Sequence, residues 1–308
     1  MIFTHQSPAA KSPAARLREA LHRPELARAM GAHSPLSARL AEETGFDVVW
    51  SSGLEISASQ GVPDANILAM PQCLDAAAGM AEAVDVPVLA DCDSGFGSVN
   101  NVVHMVRAYE ARGVAGVCIE DKQFPKLNSF VEGNQELAPL DDFAAKIRAA
   151  SQCRRSPELV VVARLEALIS GCGMDEALRR AAVYEEAGAD ALLIHSKRTD
   201  PEEVYAFRAA YRGKLPVIVV PTTYGQVTAA ELEQRGFAMA IYANHALRSS
   251  IRAMRQTLGR IYRDGTTRHV EGEIAPLKEV FDLQGMSAML ERQDRFEEQG
   301  RELAEAGR

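Results

Sequence analysis

The chain has 308 residues, a formal net charge of −8, 47% apolar and 25% charged residues, and 22 Gly with 14 Pro. That composition excludes disordered, collagen-like and low-complexity chains and fits a folded globular protein of one or two domains. The acidic balance argues against a surface that tracks nucleic-acid phosphates, and no apolar run approaches the roughly 20 residues needed to span a bilayer. The opening MIFTHQSPAAKSPAARLREA lacks the continuous apolar core of a secretory signal, so a cytoplasmic protein is expected. Five cysteines (Cys73, Cys92, Cys118, Cys153, Cys172) without CxxC pairing support neither a disulfide framework nor a zinc knuckle. Cys92 and Cys118 sit within apolar runs and read as buried thiols.

Residues 1–15 are rich in Ser, Pro and Ala without periodicity and read as a flexible arm, with 16–308 as a single α/β domain. Eight short apolar runs follow: LARAMGAH, DVVWSSG, PVLADCD, GVCIED, LVVVARLEA, ALLIHS, PVIVVP and MAIYAN. Their unbroken apolar character, rather than strict in-and-out alternation, predicts parallel strands covered on both faces. Stretches with apolar residues at three- and four-residue spacing, such as MDEALRRAAVYEEAGAD and DPEEVYAFRAAYRG, separate them and predict helices, several closed by a Gly cap. Eight such units, with no GxGxxG after the first strand, predict a closed (β/α)8 TIM-type barrel. Two connections, Gly53–Met70 and Lys122–Pro139, are long for βα loops and read as lids. From about residue 246 to 308 the chain carries more helix than eight units require, which calls for a packing partner.

In such a barrel the reactive groups project from the carboxyl ends of the strands. The runs end in Trp50, Ser51, Ser52 and Gly53; in Asp91 and Asp93; in Glu120 and Asp121; in Arg164 and Glu166; in His195 and Ser196; and in Asn244 and His245. Asp91, Asp93 and Glu120 on neighbouring strands would surround one point with carboxylate oxygens. That is costly without a cation, and all-oxygen ligands suit Mg²⁺ or Mn²⁺ rather than Zn²⁺. Each Asp could instead cap the helix that follows, His195 could be a satisfied core histidine, and Arg164 could pair with Glu166. A divalent cation facing an Arg and a His suits a small anionic, oxygen-rich substrate.

The runs WSSGLEISASQGVPDANIL, ADCDSGFG, GVAGVCIEDKQFPKLNSF and VVARLEALISG resemble the phosphoenolpyruvate mutase and isocitrate lyase superfamily, and within it the phosphoenolpyruvate mutase and phosphonopyruvate hydrolase branch. The likeness runs from about residue 16 to about 290. It implies a barrel whose final helix is exchanged between subunits of a homodimer or homotetramer. It implies Mg²⁺ on Asp91, with Asp93 and Glu120 acting mostly through water. It also places the substrate carboxylate on Ser52, Gly53 and Leu54 beside Trp50, the phosphoryl end on Arg164 and His195, and Asp64 near the reacting centre. The loop after the fourth strand separates the branches. Lyases resemble one another in a KKCGH-type loop with a proton-transferring Cys, whereas this chain reads Lys126, Leu127, Asn128, Ser129, Phe130. Asn at the third place of that run resembles the mutases, which interconvert phosphoenolpyruvate and 3-phosphonopyruvate; Thr there resembles the hydrolases, which release pyruvate and phosphate. The resemblance implies that Lys126, Asn128 and Ser129 hold the substrate under a closed lid that keeps water from a loose phosphoryl-transfer transition state. An inactive barrel retained for binding is a further reading.

Overall fold

The computed structural model describes residues 11–133 and 135–307. Eight parallel strands form a barrel: β1 (Ala27–Ala32), β2 (Val48–Ser51), β3 (Val88–Asp91), β4 (Gly116–Glu120), β5 (Val160–Leu165), β6 (Ala191–Ile194), β7 (Val217–Val219) and β8 (Met239–Tyr242). They pair in chain order and β8 closes on β1, with Ala29 opposite Ile241. Each strand falls within one of the eight apolar runs, so the expected (β/α)8 barrel is the observed fold. The helices are α1 (Pro13–His22), α2 (Pro35–Glu43), α3 (Gly53–Ser59), α4 (Met70–Ala83), α5 (Val99–Ala111), α6 (Leu140–Cys153), α7 (Gly173–Ala187), α8 (Glu202–Ala210), α9 (Ala229–Gln234), α10 (His245–Asp264), α11 (Leu277–Leu283) and α12 (Met286–Ala306). One compact unit ends at Leu247 and a second starts at Arg248. Among the described residues no helix is long and apolar enough to cross a membrane.

Alternation along each strand sorts side chains between two cores. Trp50, Leu89, Cys118, Val162, Leu193 and Ile218 fill the barrel interior, in one cluster with Leu17 and Leu21 of α1. Ala90, Val117, Ile119, Val161, Ala163 and Leu192 face the helix layer. Gly116 makes room for the α1 plug: a Cβ there would stand 2.8 Å from Leu17 Cδ2.

Three local expectations require correction. Residues 1–10 of the expected arm lie outside the described residues, but the remainder is not a simple arm, because α1 starts at Pro13. The reason is a good helix start: Pro occupies the first turn, where its missing N–H is harmless, and Ser12 Oγ accepts from the Ala15 amide. The connection after β2 is not all loop, since Ser52 caps α3 within it. Gly188 closes α7 in the left-handed conformation as expected (φ 98°), whereas α8 ends at an extended Tyr211 rather than on a glycine. Tyr211 is held by stacking on Phe207, with ring centroids 5.9 Å apart, and by donating to Glu185.

Gly31, in β1, is the tightest backbone approach near the site. A Cβ there would lie 2.1 Å from the Ala243 carbonyl oxygen and 2.6 Å from Glu55 Oε1. Gly31→Ala should therefore cost about 1–3 kcal/mol of stability through forced backbone shifts. A urea titration followed by circular dichroism would show it, and an unchanged midpoint would contradict this packing.

Candidate active site

The carboxyl ends of the strands open into a small cavity of about 50 Å³ lined by Trp50, Ser52, Leu54, Asp64, Asp91, Lys126, Asn128, Ser129, Arg164 and His195. The structure thus brings most of the residues singled out in the sequence to one place. Val220, Thr222, Ala243 and Asn244, from the ends of β7 and β8, complete the wall together with Phe130. Ser52 caps α3, accepting from the Glu55 amide at 3.3 Å, so Gly53 and Leu54 form its first turn. Amides at a helix start have no intrahelical acceptor and favour an anion.

The three acids do not converge as a closed cluster. Among the described residues, no group of three or more His, Cys, Asp and Glu is placed to hold a metal ion unaided. Neighbouring cations draw two of the acids away. Glu120 Oε2 stands 3.4 Å from Arg164, and Asp93, on left-handed backbone at φ 47°, pairs with Lys126 at 3.0 Å. Asp91 alone lines the cavity.

The donor set nevertheless fits a hard divalent cation. The place where a Gly53 Cβ would stand is 3.2 Å from Asp91 Oδ2 and 3.5 Å from Asp93 Oδ1, so both oxygens border one small space kept open by glycine. Glu120 Oε1 is buried without a hydrogen-bond donor, and Asp93 Oδ1 has the Lys126 ammonium beside it at 3.0 Å. Burial pushes the Asp91 carboxyl up to about 7, with the charges of Asp93 and Glu120 adding to it and Arg164 and Lys126 opposing it. Burial likewise raises Asp93. Lys126 and Arg164 offset only part of this charge, so the carboxylates gain from a further, divalent cation.

The long connection after β4 crosses the cavity. Its base is a short ribbon: Lys122 bridges Leu137, the Gln123 amide donates to Glu136 O and the Ala138 amide to Asp121 O. At its tip Lys126 Nζ reaches Asp64 at 2.6 Å, and Asn128 Nδ2 donates to the other Asp64 oxygen at 2.6 Å. Burial works to raise Asp64, but Lys126 and these hydrogen bonds hold its carboxyl below the usual range. Asn66 joins the two long connections, donating to Asp93 and accepting from the Lys126 amide.

Ser129 differs from expectation in its partners. Its hydroxyl is buried, donates to Glu166 Oε2 at 2.7 Å and accepts from Lys122 Nζ at 2.8 Å. Glu166 Oε1 meets Arg164 Nε at 2.6 Å and His195 Nδ1 at 2.9 Å. Burial would raise Glu166, yet Arg164 and His195 hold it well below the carboxylate range; burial lowers His195. Sequence reading missed Lys122, which is 1% exposed. It also grouped Asp121 with Glu120 at the cavity, whereas Asp121 faces the helix layer and takes Arg180 and Tyr184 of α7. The period of two along β4 was the available signal.

Residues 17–262 match the family model described as Phosphoenolpyruvate phosphomutase. A phosphonopyruvate hydrolase from Variovorax sp. (strain Pal2) is 46% identical, over 89% of this chain and 95% of that protein. A crystal structure of phosphoenolpyruvate phosphomutase from Streptomyces platensis subsp. rosaceus superposes with a TM-score of 0.91 at 55% identity, over 92% of this chain and 99% of the other. A phosphonopyruvate hydrolase complexed with oxalate and Mg²⁺ gives 0.89 at 44% identity, over 93% and 99%. The chain belongs to the phosphoenolpyruvate mutase family, within the superfamily that also contains the isocitrate lyases.

The raised Asp91 carries a stability signature. In the metal-free protein its folded-state value lies above that of an unfolded Asp, so its contribution is full at low pH and is lost as pH rises toward about 7. With EDTA present, Asp91→Asn should raise the urea midpoint over wild type at pH 8, and the gain should shrink by pH 5. Equal gains at both pH values would contradict a buried Asp91 that ionises near neutrality.

Proposed function

We propose that this chain interconverts phosphoenolpyruvate and 3-phosphonopyruvate by intramolecular phosphoryl transfer, with Mg²⁺, or Mn²⁺ in its place, held by Asp91 and by Asp93 and Glu120 through water. When bound, the cation would draw charge from the carboxylate and enolate oxygens of the three-carbon acid. The α3 start at Ser52, Gly53 and Leu54 receives the carboxylate beside Trp50. Arg164 offers a fixed guanidinium to the phosphoryl oxygens, with His195 next to it. A loose transition state leaves the transferring fragment and the enolate together briefly, and water would trap either.

The observation that carries the mutase reading is the Asn128 amide. It donates to Asp64 while its own Oδ1 accepts from the Phe130 amide at 3.0 Å, so one side chain both turns the loop tip and ties it to the connection after β2. A shorter hydroxyl residue would lack this span. The 55% identical phosphomutase structure supports the same reading. A lyase is disfavoured because no cysteine lines the cavity among the described residues.

Phosphorus NMR of 3-phosphonopyruvate incubated with the protein and Mg²⁺ should show phosphoenolpyruvate; inorganic phosphate with pyruvate would replace the mutase by the hydrolase. Asp91→Ala should abolish turnover. Asn128→Ala should slow it by about 100-fold or more, because a tip released from Asp64 no longer places its donors or excludes water. A rate within a few-fold of wild type would remove Asn128 from the mechanism.

We also propose that a second copy of the chain covers the C-terminal helices, in a homodimer or homotetramer that exchanges them. Neither α11 nor α12 buries a side chain, and Leu277 and Leu303 are 73% and 75% exposed. Sedimentation velocity should give a multiple of the 33.4 kDa chain. A monomer at every concentration would overturn it.

A further inference from the structure

We infer that Glu166 is a positioning residue: it couples the seating of loop tip 124–133 to the aim of Arg164 and His195. The role of those two side chains rests on the functional reading above, but the coupling itself does not. A carboxylate serving only as a local partner for Arg164 and His195 would be satisfied by them. Glu166 instead divides its oxygens. Oε1 serves the cavity wall, while Oε2 serves the loop through Ser129, 37 residues away in sequence.

Lys122 completes the connection from below. Its ammonium donates to Leu127 O and to Ser129 Oγ, both at 2.8 Å, and lies 3.4 Å from Glu166 Oε2. Arg164 Nη2 also approaches Ser129 Oγ at 3.3 Å. Lys122 and Glu166 are both essentially without solvent exposure, so neither can exchange these partners for water while the loop is seated. Lifting the tip removes the Ser129 hydroxyl and leaves Oε2 facing Lys122 alone. The carboxylate must then turn toward the ammonium, and the same rotation carries Oε1 away from Arg164 and His195. The phosphoryl-binding pair is therefore correctly aimed only when the tip is down and water is excluded. This differs from the Asp64 contacts of Lys126 and Asn128, which hold the tip without touching Arg164 or His195.

The test uses the full-length protein with Mg²⁺ and oxalate as the probe ligand. Ser129→Ala should speed amide exchange across 124–133 and lower kcat on 3-phosphonopyruvate by about tenfold or more, as expected for losing a hydrogen bond to a buried charge. KM should change much less, because aim rather than contact is lost. Glu166→Gln should act in the same direction, and the double variant should be no worse than Glu166→Gln alone. Exchange and kcat of Ser129→Ala within twofold of wild type would overturn the coupling, as would fully additive effects. If Glu166→Gln does not fold, Ser129→Ala decides alone. A wild type inactive on phosphonopyruvate would sink the functional reading, while the exchange measurement would still judge the latch.

Discussion

Negative charge crowded at the carboxyl mouth of a dry barrel is the constraint on which this molecule is built. Asp91 ends β3, Glu120 ends β4 and Asp93 follows Asp91 on left-handed backbone, while Asp64 and Glu166 are added from loops. Burying such charges unpaired is prohibitive, and removing one partner of a buried pair typically costs about 3–5 kcal/mol. The chain answers with three cations placed among them. Lys126 is held fully charged by Asp93, Glu120 and Asp64 against the pull of burial, and Glu166, Glu120 and Asp91 do the same for Arg164. Lys122 joins them from below.

Two of those cations come from the loop after β4, so electrostatics alone explains why the loop folds over the mouth rather than into solvent. Lys126 is drawn inward by the acids. Asn128 and Ser129 then follow into positions where hydrogen bonds to Asp64 and Glu166 replace the bonds they would make to water. Phe130 lies edge-on to His195, with ring centroids 5.5 Å apart, closing the apolar side of the cover. Neutralising the acids and shutting out solvent are thus one event.

The barrel was legible because continuous apolar runs report strands covered on both faces, and the polar residues ending them, Asp91, Arg164 and His195 among them, report the mouth. Less legible were properties set by partners far away in the chain. Lys122 opens a loop and reads as an exposed lysine, but Glu166, 44 residues on, and the Leu127 carbonyl bury it. The left-handed backbone of Asp93 and its pairing with Lys126 likewise have no signature in composition or periodicity. Ser129 lines the cavity, yet no local pattern reveals that its hydroxyl turns to Glu166. The start of α1 could have been read, since Ser12 followed by Pro13 is a helix-opening pair within a Pro- and Ala-rich stretch.

The short ribbon beneath the loop has an evolutionary consequence. Asp121 and Ala138 are both fastened to α7 through Arg180, so the stem belongs to the barrel scaffold. Lys126, Asn128 and Ser129 lie above it. The tip is therefore a cassette: exchanging about ten residues could redirect the fate of a reactive fragment while the strands, their acids and the packing below stay unaltered.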